Sequence, residues 1–326
     1  MVKQESITQV VVKILITGSS GFVGGSFGRF AARAGHEVLG VGRASQPEVG
    51  WPGLYVQADV SSSDLSETVA SFRPDLLLHA AGAASVGASL ARPLDDLRAS
   101  VLTWANVLDS VRRSGARPLV VFPSSAAVYG DAAARPVAEG ACVCPISPYG
   151  FHKAACELLA REYAECFQLS LVVCRLFSIF GEAQRRLLVW ELYRQLEGAE
   201  PSAWLEGTGD ETRDYIHVDD AASAILELAS NPSVERGGFN VVNVASGEET
   251  RVLDLAEQMR ALVAPSKEIR RRGHARAGDP QHWRADITLL QTLAPRWRPR
   301  PFDERLAQCV AAWRDENADC GLRIAD

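Results

Sequence analysis

Three side chains in the middle of the chain have types and spacing that suit proton transfer at a hydroxyl group. Tyr149 and Lys153 are four residues apart at the start of a predicted helix, so they share one face of it. An ammonium beside a tyrosine favours the phenolate form, which can take a proton from a C–OH group. Ser125 follows a predicted strand, where its hydroxyl could bond the same substrate oxygen. A tyrosine and a lysine at this spacing are common by chance, so their interpretation depends on the elements that position them.

A glycine-rich turn near the start of the chain is the strongest of these elements. The apolar run at 10–17 predicts a strand buried on both faces, and glycines then recur at positions 18, 21 and 24 before a helical pattern. Such glycines allow a tight turn, a close approach of backbone to phosphate, and close packing of helix on strand. The helix N-terminus that follows offers N–H groups to a pyrophosphate. The sequence therefore predicts a dinucleotide site formed by Gly18, Ser20, Gly21, Phe22, Val23 and Gly24.

Two further strand ends bear on the cofactor. The second predicted strand, Glu37–Val41, leads to Arg43, close to the place where NAD-binding folds carry an acidic residue for the ribose 2′-OH. Because an arginine there could meet a 2′-phosphate, the predicted cofactor is NADP or NAD, with NADP favoured. The fourth predicted strand leads to Ala80, Ala81 and Gly82, which are small enough to let a cofactor lie against the backbone.

The alternation of apolar strands with helical patterns predicts the architecture. It indicates an α/β fold, a doubly wound parallel (Rossmann) sheet with a smaller C-terminal substrate lobe. The dinucleotide-binding domain is predicted at 10–180, with 213–246 returning to it. The substrate lobe is predicted from 181–212 and 247–326, where the alternation loosens.

The overall composition argues against several classes of partner and site. The chain of 326 residues is 47% hydrophobic and 23% charged with a net charge of −6, so no nucleic-acid partner is expected. Its seven cysteines show no C-x-x-C pair and no zinc-ligand spacing, which favours reduced thiols and no bound metal. Neither a secretory signal nor an apolar run of membrane-spanning length is seen, so we expect a cytoplasmic protein with no membrane partner.

Four motifs, in order, resemble the extended short-chain dehydrogenases/reductases, in their nucleotide-sugar epimerase and dehydratase branch. They are the glycine turn at 18–24, Ser124–Gly130, Tyr149–Lys153 and Arg213–Asp220. The resemblance implies that Ser125, Tyr149 and Lys153 are catalytic and that the last two also contact the cofactor. It further implies cofactor contacts by Asp59 and Val60, and substrate contacts by Ser85, Ser125, Ser178, Arg213, Arg276 and Asp279.

The resemblance also implies two partners. The first is a nucleotide-diphosphate sugar, whose charged diphosphate suits fixed guanidinium groups, and Asp214 is expected to orient Arg213 towards it. The second is another copy of the chain, because relatives form homodimers through the helices that correspond to Pro93–Ser114 and Tyr149–Cys166.

Two alanines separate the activities within this branch. The dehydratases that the chain resembles carry an Asp–Glu pair after the catalytic hydroxyl, and the decarboxylases carry a glutamate, where this chain has Ala126 and Ala127. The resemblance therefore implies an epimerase that transiently oxidises and re-reduces C4 of a nucleotide-diphosphate hexose. Arg43 leaves an alternative open, an NADPH-dependent reductase of a nucleotide-linked 4-keto sugar. A non-catalytic cofactor-binding protein of the same fold is disfavoured because all three catalytic residues are present.

Overall fold

Short apolar runs bounded by glycine, proline and polar residues form the strands. The computed structural model describes residues 11–132, 134–234, 236–273 and 280–322, with side chains up to residue 318. In chain order its strands are β1 Lys13–Thr17, β2 Glu37–Gly42, β3 Leu54–Gln57, β4 Leu76–His79, β5 Leu119–Ser125, β6 Ser170–Leu176, β7 Ser178–Phe180, β8 Ser202–Leu205, β9 Thr212–Arg213, β10 Tyr215–His217, β11 Phe239–Val244, β12 Thr250–Arg251 and β13 Glu268–Arg271.

Seven of the described strands form one parallel sheet. Their order across the sheet is β11, β6, β5, β4, β1, β2, β3. The chain therefore winds outward from β1 in one direction, returns, and winds outward in the other. This confirms the predicted doubly wound sheet, and it brings the carboxyl ends of the strands to one edge, where such folds bind ligands.

The described α-helices include those that cover both faces of this sheet. They are α1 Phe22–Arg33, α2 Ser66–Phe72, α3 Val86–Ala91, α4 Pro93–Leu97, α5 Thr103–Ser114, α6 Pro148–Phe167, α7 Leu187–Glu197, α8 Val218–Ser230, α9 Val252–Val263, α10 Thr288–Leu293 and α11 Phe302–Leu322. A π-helical segment, Arg98–Leu102, joins α4 to α5, so the predicted long helix contains a wider turn. Across the described part of the chain, every helix is too short or too polar to cross a bilayer.

Two apolar layers cover the faces of the sheet. Ile14 and Ile16 point into the layer that contains α8, whereas Leu15 between them points into the layer that contains α5. All three are fully buried, as expected where successive residues of a parallel strand face opposite covered sides. A third apolar cluster, which includes Leu192, Leu255 and Trp313, joins α7, α9 and α11 away from the central sheet.

The segment 287–297, which the sequence predicts as part of the substrate lobe, packs beside the central sheet. Leu290, Ala294 and Trp297 are buried in the layer formed with α8 and β11. An apolar repeat in a helix this short shows that one face is buried but not which surface covers it. The division into two domains stays a prediction.

Candidate active site

The glycine turn between β1 and α1 is shaped by close backbone contacts. Gly18 has φ +73°, and a Cβ there would lie 2.6 Å from the backbone nitrogen of Ala81. A Cβ on Gly24 would lie 2.4 Å from the carbonyl oxygen of Gly18. The first turn of α1 carries no acidic side chain, so its N–H groups face an edge without a competing negative charge. The N–H groups of Gly18 and Gly21 bond within the turn and to β2, so the groups left for a phosphate are those of the first turn of α1.

The ends of β2 and β3 place an arginine and an aspartate side by side. Arg43 follows β2 and is exposed, and its carbonyl accepts a hydrogen bond from the Gln57 side chain on β3 at 3.2 Å. Asp59 follows β3, and its carboxylate accepts from the hydroxyl and the N–H of Ser61 at 2.7 and 3.0 Å. These bonds, aided by the charge of Arg43, lower the pKa of Asp59, which stays ionised. Val60 beside it is buried.

Small residues and a buried pair of stacked rings lie at the end of β4, where the sequence predicts cofactor contacts. Gly82 has φ +137°, which allows the chain to turn after Ala80 and Ala81. His79 is 2% exposed, and its ring stacks on Trp104 with centroids 4.8 Å apart. Burial, helped by the nearby charge of Lys153, lowers the pKa of His79 to about 3. The ring is therefore neutral and serves packing.

The structure brings together the three residues predicted to be catalytic. Ser125 ends β5, and its Oγ accepts a hydrogen bond from the N–H of Ala127 at 3.1 Å. Lys153 on α6 reaches back to the same strand, where its Nζ donates to the carbonyl of Pro123 at 2.8 Å. The same ammonium lies 5.8 Å from the centre of the Tyr149 ring. All three side chains thus belong to the carboxyl end of β5, and their catalytic roles stay predictions.

The start of α6 is fixed by a cap and by a close contact. Ser147 caps the helix, since its Oγ accepts from the N–H of Gly150 at 3.2 Å. A Cβ on Gly150 would lie 2.6 Å from the carbonyl of Ala127, so glycine lets α6 pack directly on the short 3₁₀ turn after β5. The N–H of Tyr149 donates to Ser89 Oγ of α3 at 3.0 Å. These contacts fix the position of Tyr149 relative to the end of β5.

The residues predicted to contact substrate are only partly within the described chain. Ser85 caps α3, and Ser178 begins β7 just beyond the end of β6. Arg213 lies in β9 and is 9% exposed, with its Nη1 donating to the carbonyls of residues 212 and 281. Arg276 and Asp279 lie outside the described residues. A common substrate contact for this set stays a prediction.

Asp214 does not orient Arg213 as the sequence analysis expects. Its carboxylate accepts hydrogen bonds from the hydroxyl and the N–H of Ser246, at 2.7 and 2.8 Å, and from the N–H of Ala285 at 3.1 Å. Successive residues of an extended segment point to opposite sides, so the two neighbours face different surroundings. Asp214 instead holds the loop after β11 against the segment that precedes α10.

A cavity of about 610 Å³ opens between the loop after β4 and the start of α7. Ser85 lies in its wall with Arg185, Arg186, Arg194 and Trp190, and the guanidinium of Arg185 lies 4.8 Å from the centre of the Trp190 ring. These residues before and within α7 were not predicted because they form no sequence motif. The adjacent arginines before a helical pattern were the one available signal. Their charge suits an anionic ligand.

One group of side chains in the described residues has the spacing of metal ligands, and its hydrogen bonds argue against a metal. Glu182, His217 and Cys309 place their ligand atoms within 4.8 Å of one another. Nδ1 of His217 accepts from the N–H of Asp219 at 3.2 Å, so Nε2 carries the proton and donates to Glu182 at 3.1 Å. Burial raises the pKa of the Cys309 thiol, which stays protonated.

Relatives of known activity match almost the whole chain. The UDP-glucose 4-epimerase of Mycolicibacterium smegmatis is 28% identical over 318 residues, which is 94% of this chain and all of the relative. The GDP-6-deoxy-D-mannose reductase of Pseudomonas aeruginosa is 28% identical over 304 residues, which is 86% of this chain and 94% of the relative.

Solved structures agree with this chain over a similar span. The UDP-N-acetylglucosamine 4-epimerase of Methanobrevibacter ruminantium, in complex with UDP-N-acetylmuramic acid, has a TM-score of 0.84 and 25% identity, covering 94% of this chain and 99% of that one. MoeE5 in complex with UDP-glucose and NAD has a TM-score of 0.82 and 27% identity, covering 93% and 99%.

A family model gives the assignment. The model of the NAD-dependent epimerase/dehydratase family matches residues 14–245, from β1 through the last strand of the central sheet. This span contains the glycine turn and all three predicted catalytic residues, which agrees with the resemblance in the sequence. The chain therefore belongs to the NAD-dependent epimerase/dehydratase family and is an enzyme of the extended short-chain dehydrogenase/reductase type.

Proposed function

We propose that the chain is a nucleotide-sugar 4-epimerase that acts on a nucleotide-diphosphate hexose, with UDP-hexoses as the first candidates. The observation that carries the proposal is that Ser125 ends β5, while the Lys153 ammonium bonds the same strand and lies 5.8 Å from the centre of the Tyr149 ring, at the sheet edge that carries the glycine turn. The relatives that act on UDP-sugars support the substrate class.

The residues of the glycine turn fit a dinucleotide, since Gly18 and Gly24 let the backbone of the turn pack tightly and bring the N-terminus of α1 to the strand ends. A bound nicotinamide supplies the acceptor and donor of a hydride. Ser125 then holds the C4 hydroxyl, and Tyr149 takes its proton and later returns it. Lys153 has three N–H donors, and one is used on the carbonyl of Pro123. The others are available to the cofactor ribose and to the Tyr149 oxygen.

The absence of side-chain acids after Ser125 supports epimerisation over elimination of water. Ala126 and Ala127 follow it, and both are buried, at 0% and 5% exposure. Neither can give or take a proton. These two positions therefore offer no group for elimination of water from a sugar oxidised at C4. The reaction that remains is rotation of the keto sugar and reduction on its other face.

Arg43 supports a second candidate, an NADPH-dependent reductase of a nucleotide-linked 4-keto sugar. It follows β2, it is exposed, and its guanidinium is the chemistry that a 2′-phosphate requires. The similarity to the GDP-6-deoxy-D-mannose reductase supports the same candidate. On the cofactor, the proposal is NADP or NAD with NADP favoured by Arg43, and Asp59 and Val60 at the adenine end.

A homodimer is part of the proposal. Leu94 and Leu102 on the helix that runs through α4 and α5, and Phe151 and Leu158 on α6, are each more than half exposed. Apolar side chains at helical spacing on adjacent helices suit a partner helix pair, and a second copy would bring one. A strictly monomeric mass by light scattering would reject this. The cytoplasmic location also stays a prediction.

Cofactor titration separates the two candidate functions. The purified chain is first tested for retained cofactor and then titrated calorimetrically with NADH and NADPH. Tightly retained NAD, with interconversion of UDP-glucose and UDP-galactose, supports the epimerase. Free exchange with preference for NADPH, and turnover of a 4-keto sugar nucleotide, supports the reductase. Binding of neither cofactor contradicts both.

A further inference from the structure

A buried chain of polar side chains lies behind the proposed catalytic residues. It consists of Ser124, Glu157, Arg175, Tyr129 and Asn243, of which Glu157 is the most exposed at 6%. The hydroxyl of Ser124 donates to Glu157 Oε1 at 2.5 Å, and Arg175 donates to the same carboxylate from Nη2 at 2.7 Å and from Nε at 3.1 Å. Arg175 also donates to the Tyr129 hydroxyl at 2.9 Å, which donates to Asn243 at 2.7 Å.

This network meets α6 on the face that carries Tyr149 and Lys153. Glu157 follows Lys153 by four residues, as Lys153 follows Tyr149, so the three side chains lie in one row along the helix. Lys153 bonds the carbonyl of Pro123, and Glu157 bonds the hydroxyl of Ser124. Two neighbouring residues of β5 are thus tied to two consecutive turns of α6, immediately before Ser125.

The chemistry of this network indicates that it orients α6 against β5 rather than mainly stabilising the core. An apolar pair of similar volume can stabilise a core as well as a buried ion pair does, whereas the ion pair requires defined directions and distances. The two-point bond between Arg175 and Glu157 fixes the carboxylate, and the carboxylate fixes the Ser124 hydroxyl. Rotation of α6 about its own axis would break both bonds and move Tyr149 away from Ser125.

We infer that Glu157, held by Arg175, is a positioning residue that sets α6 against β5 through Ser124, so that the Tyr149 phenol and the Lys153 ammonium meet the substrate oxygen held by Ser125. The inference rests on the proposed function. Lys153 must share its donors between the strand, the cofactor and Tyr149. Glu157 does not contact the cofactor or Tyr149 in this proposal. It therefore holds α6 in the same position against β5 whether or not a cofactor is bound.

Two substitutions in the full chain test this inference. Ser124→Ala removes the tie to β5 and leaves the ion pair in place, while Glu157→Gln keeps an acceptor of the same shape and removes the charge. We expect kcat to fall roughly tenfold or more per cofactor-loaded site. We expect KM and the cofactor Kd to stay within about twofold, because neither residue faces the ligands. Ser124→Thr keeps the hydroxyl and should recover most of the kcat.

A second buried arginine–carboxylate pair provides the matched control. Asp220 on α8 pairs with Arg305 on α11, both under 10% exposed and away from β5. Asp220→Asn should lower the melting temperature and leave kcat per folded site unchanged. If Ser124→Ala and Glu157→Gln behave in the same way, with a lower melting temperature and unchanged kcat, their role is structural and the inference is wrong. If Glu157→Gln does not fold, Ser124→Ala and Ser124→Thr decide the question.

Nuclear magnetic resonance separates this inference from the proposed function, because it needs no substrate. With the tyrosine rings labelled with carbon-13, the Tyr149 ring signal is identified by its loss in Tyr149→Phe. In Ser124→Ala that signal should shift relative to the unmodified chain, whereas in Asp220→Asn it should stay in place, because only the first substitution frees α6 from β5. An unshifted signal in Ser124→Ala overturns the inference even if no sugar nucleotide is turned over. A shifted signal in a chain without epimerase activity supports the inference and rejects the proposed function.

Discussion

The two halves of the proposed active site, one for the cofactor and one for catalysis, are supported by different kinds of contact. The cofactor half, at the ends of β1, β2 and β4, rests on backbone contacts between glycine and alanine residues and on the stacked rings of His79 and Trp104. The catalytic half, at the end of β5, rests on the charged pair of Glu157 and Arg175. The cofactor half requires residues with no side chain or a small one. The catalytic half requires particular side chains held in defined orientations.

This difference suits what each half has to bind. A dinucleotide phosphate is held by many N–H groups, so the backbone itself must come close, and any Cβ in the way is harmful. Proton transfer at one sugar oxygen requires two or three side chains at correct distances, so their supports must be directional. Substitutions in the cofactor half should therefore change cofactor affinity and stability, whereas substitutions in the catalytic half should change kcat.

Tyr149→Phe should give the largest effect, and it should be confined to the catalytic half. Loss of the phenol oxygen removes the proton carrier and is expected to lower kcat roughly 10²–10⁴-fold, with little change in cofactor affinity. Steady-state kinetics and cofactor titration on the same preparation measure both. Near-normal turnover would contradict the catalytic assignment.

His79 should make the cofactor half sensitive to acid. Its folded-state pKa of about 3 lies below the ordinary 6.5, so between these values the unfolded chain binds more protons. The unfolding free energy should therefore fall as the pH is lowered from 6.5 towards 3, by up to on the order of 5 kcal/mol. His79→Phe keeps a ring in the stack and should flatten this dependence in urea unfolding. The same acid loss in the variant and in the unmodified chain would show that other groups cause it.

Gly24→Ala should weaken cofactor binding more than it lowers the rate of the chemical step. The new Cβ would lie 2.4 Å from the Gly18 carbonyl, so the turn must open. We expect the cofactor to bind at least roughly tenfold more weakly and the chain to lose about 1–3 kcal/mol of stability. Gly140→Ala is the matched control, since nothing lies within 4 Å of the added carbon. Equal affinity in both variants would contradict the close contact.

Arg43→Ala should give the smallest and most selective effect. If Arg43 meets a 2′-phosphate, NADPH affinity should fall roughly five- to tenfold, while NADH affinity stays the same. Arg117, an exposed arginine at the amino end of β5, supplies the control substitution Arg117→Ala. Equal losses for both cofactors would remove the argument for NADP.

The regular part of the fold was predictable because its signals are local. β2 spans Glu37–Gly42, one residue beyond the predicted Glu37–Val41, since it is an apolar run with clear ends. The paired strands Ser202–Leu205 and Glu268–Arg271 were missed. The second is mostly charged and reads as a solvated loop in the sequence, and only its distant partner makes it a strand.

The support of the site was not predictable for the same reason. Tyr149 and Lys153 are visible because four residues separate them on one helix. Tyr129 and Asn243 are 114 residues apart, and no periodicity joins them. Asp214 shows the opposite error, in which closeness in sequence suggested a contact with Arg213 that the extended backbone prevents.

The place of β11 in the sheet matters for the newly synthesised chain. β11 is the last strand of the central sheet to be made, and it lies at the edge beside β6. Until the ribosome has released it, β6 presents an unpaired row of N–H and C=O groups that a neighbouring nascent chain could join. Because α10 packs against β11 and follows it in the chain, the apolar layer on that face of the sheet also stays incomplete until α10 has been made. Chains that stop between β6 and β11 should therefore aggregate or depend on chaperones, although they carry the whole glycine turn and all three proposed catalytic residues.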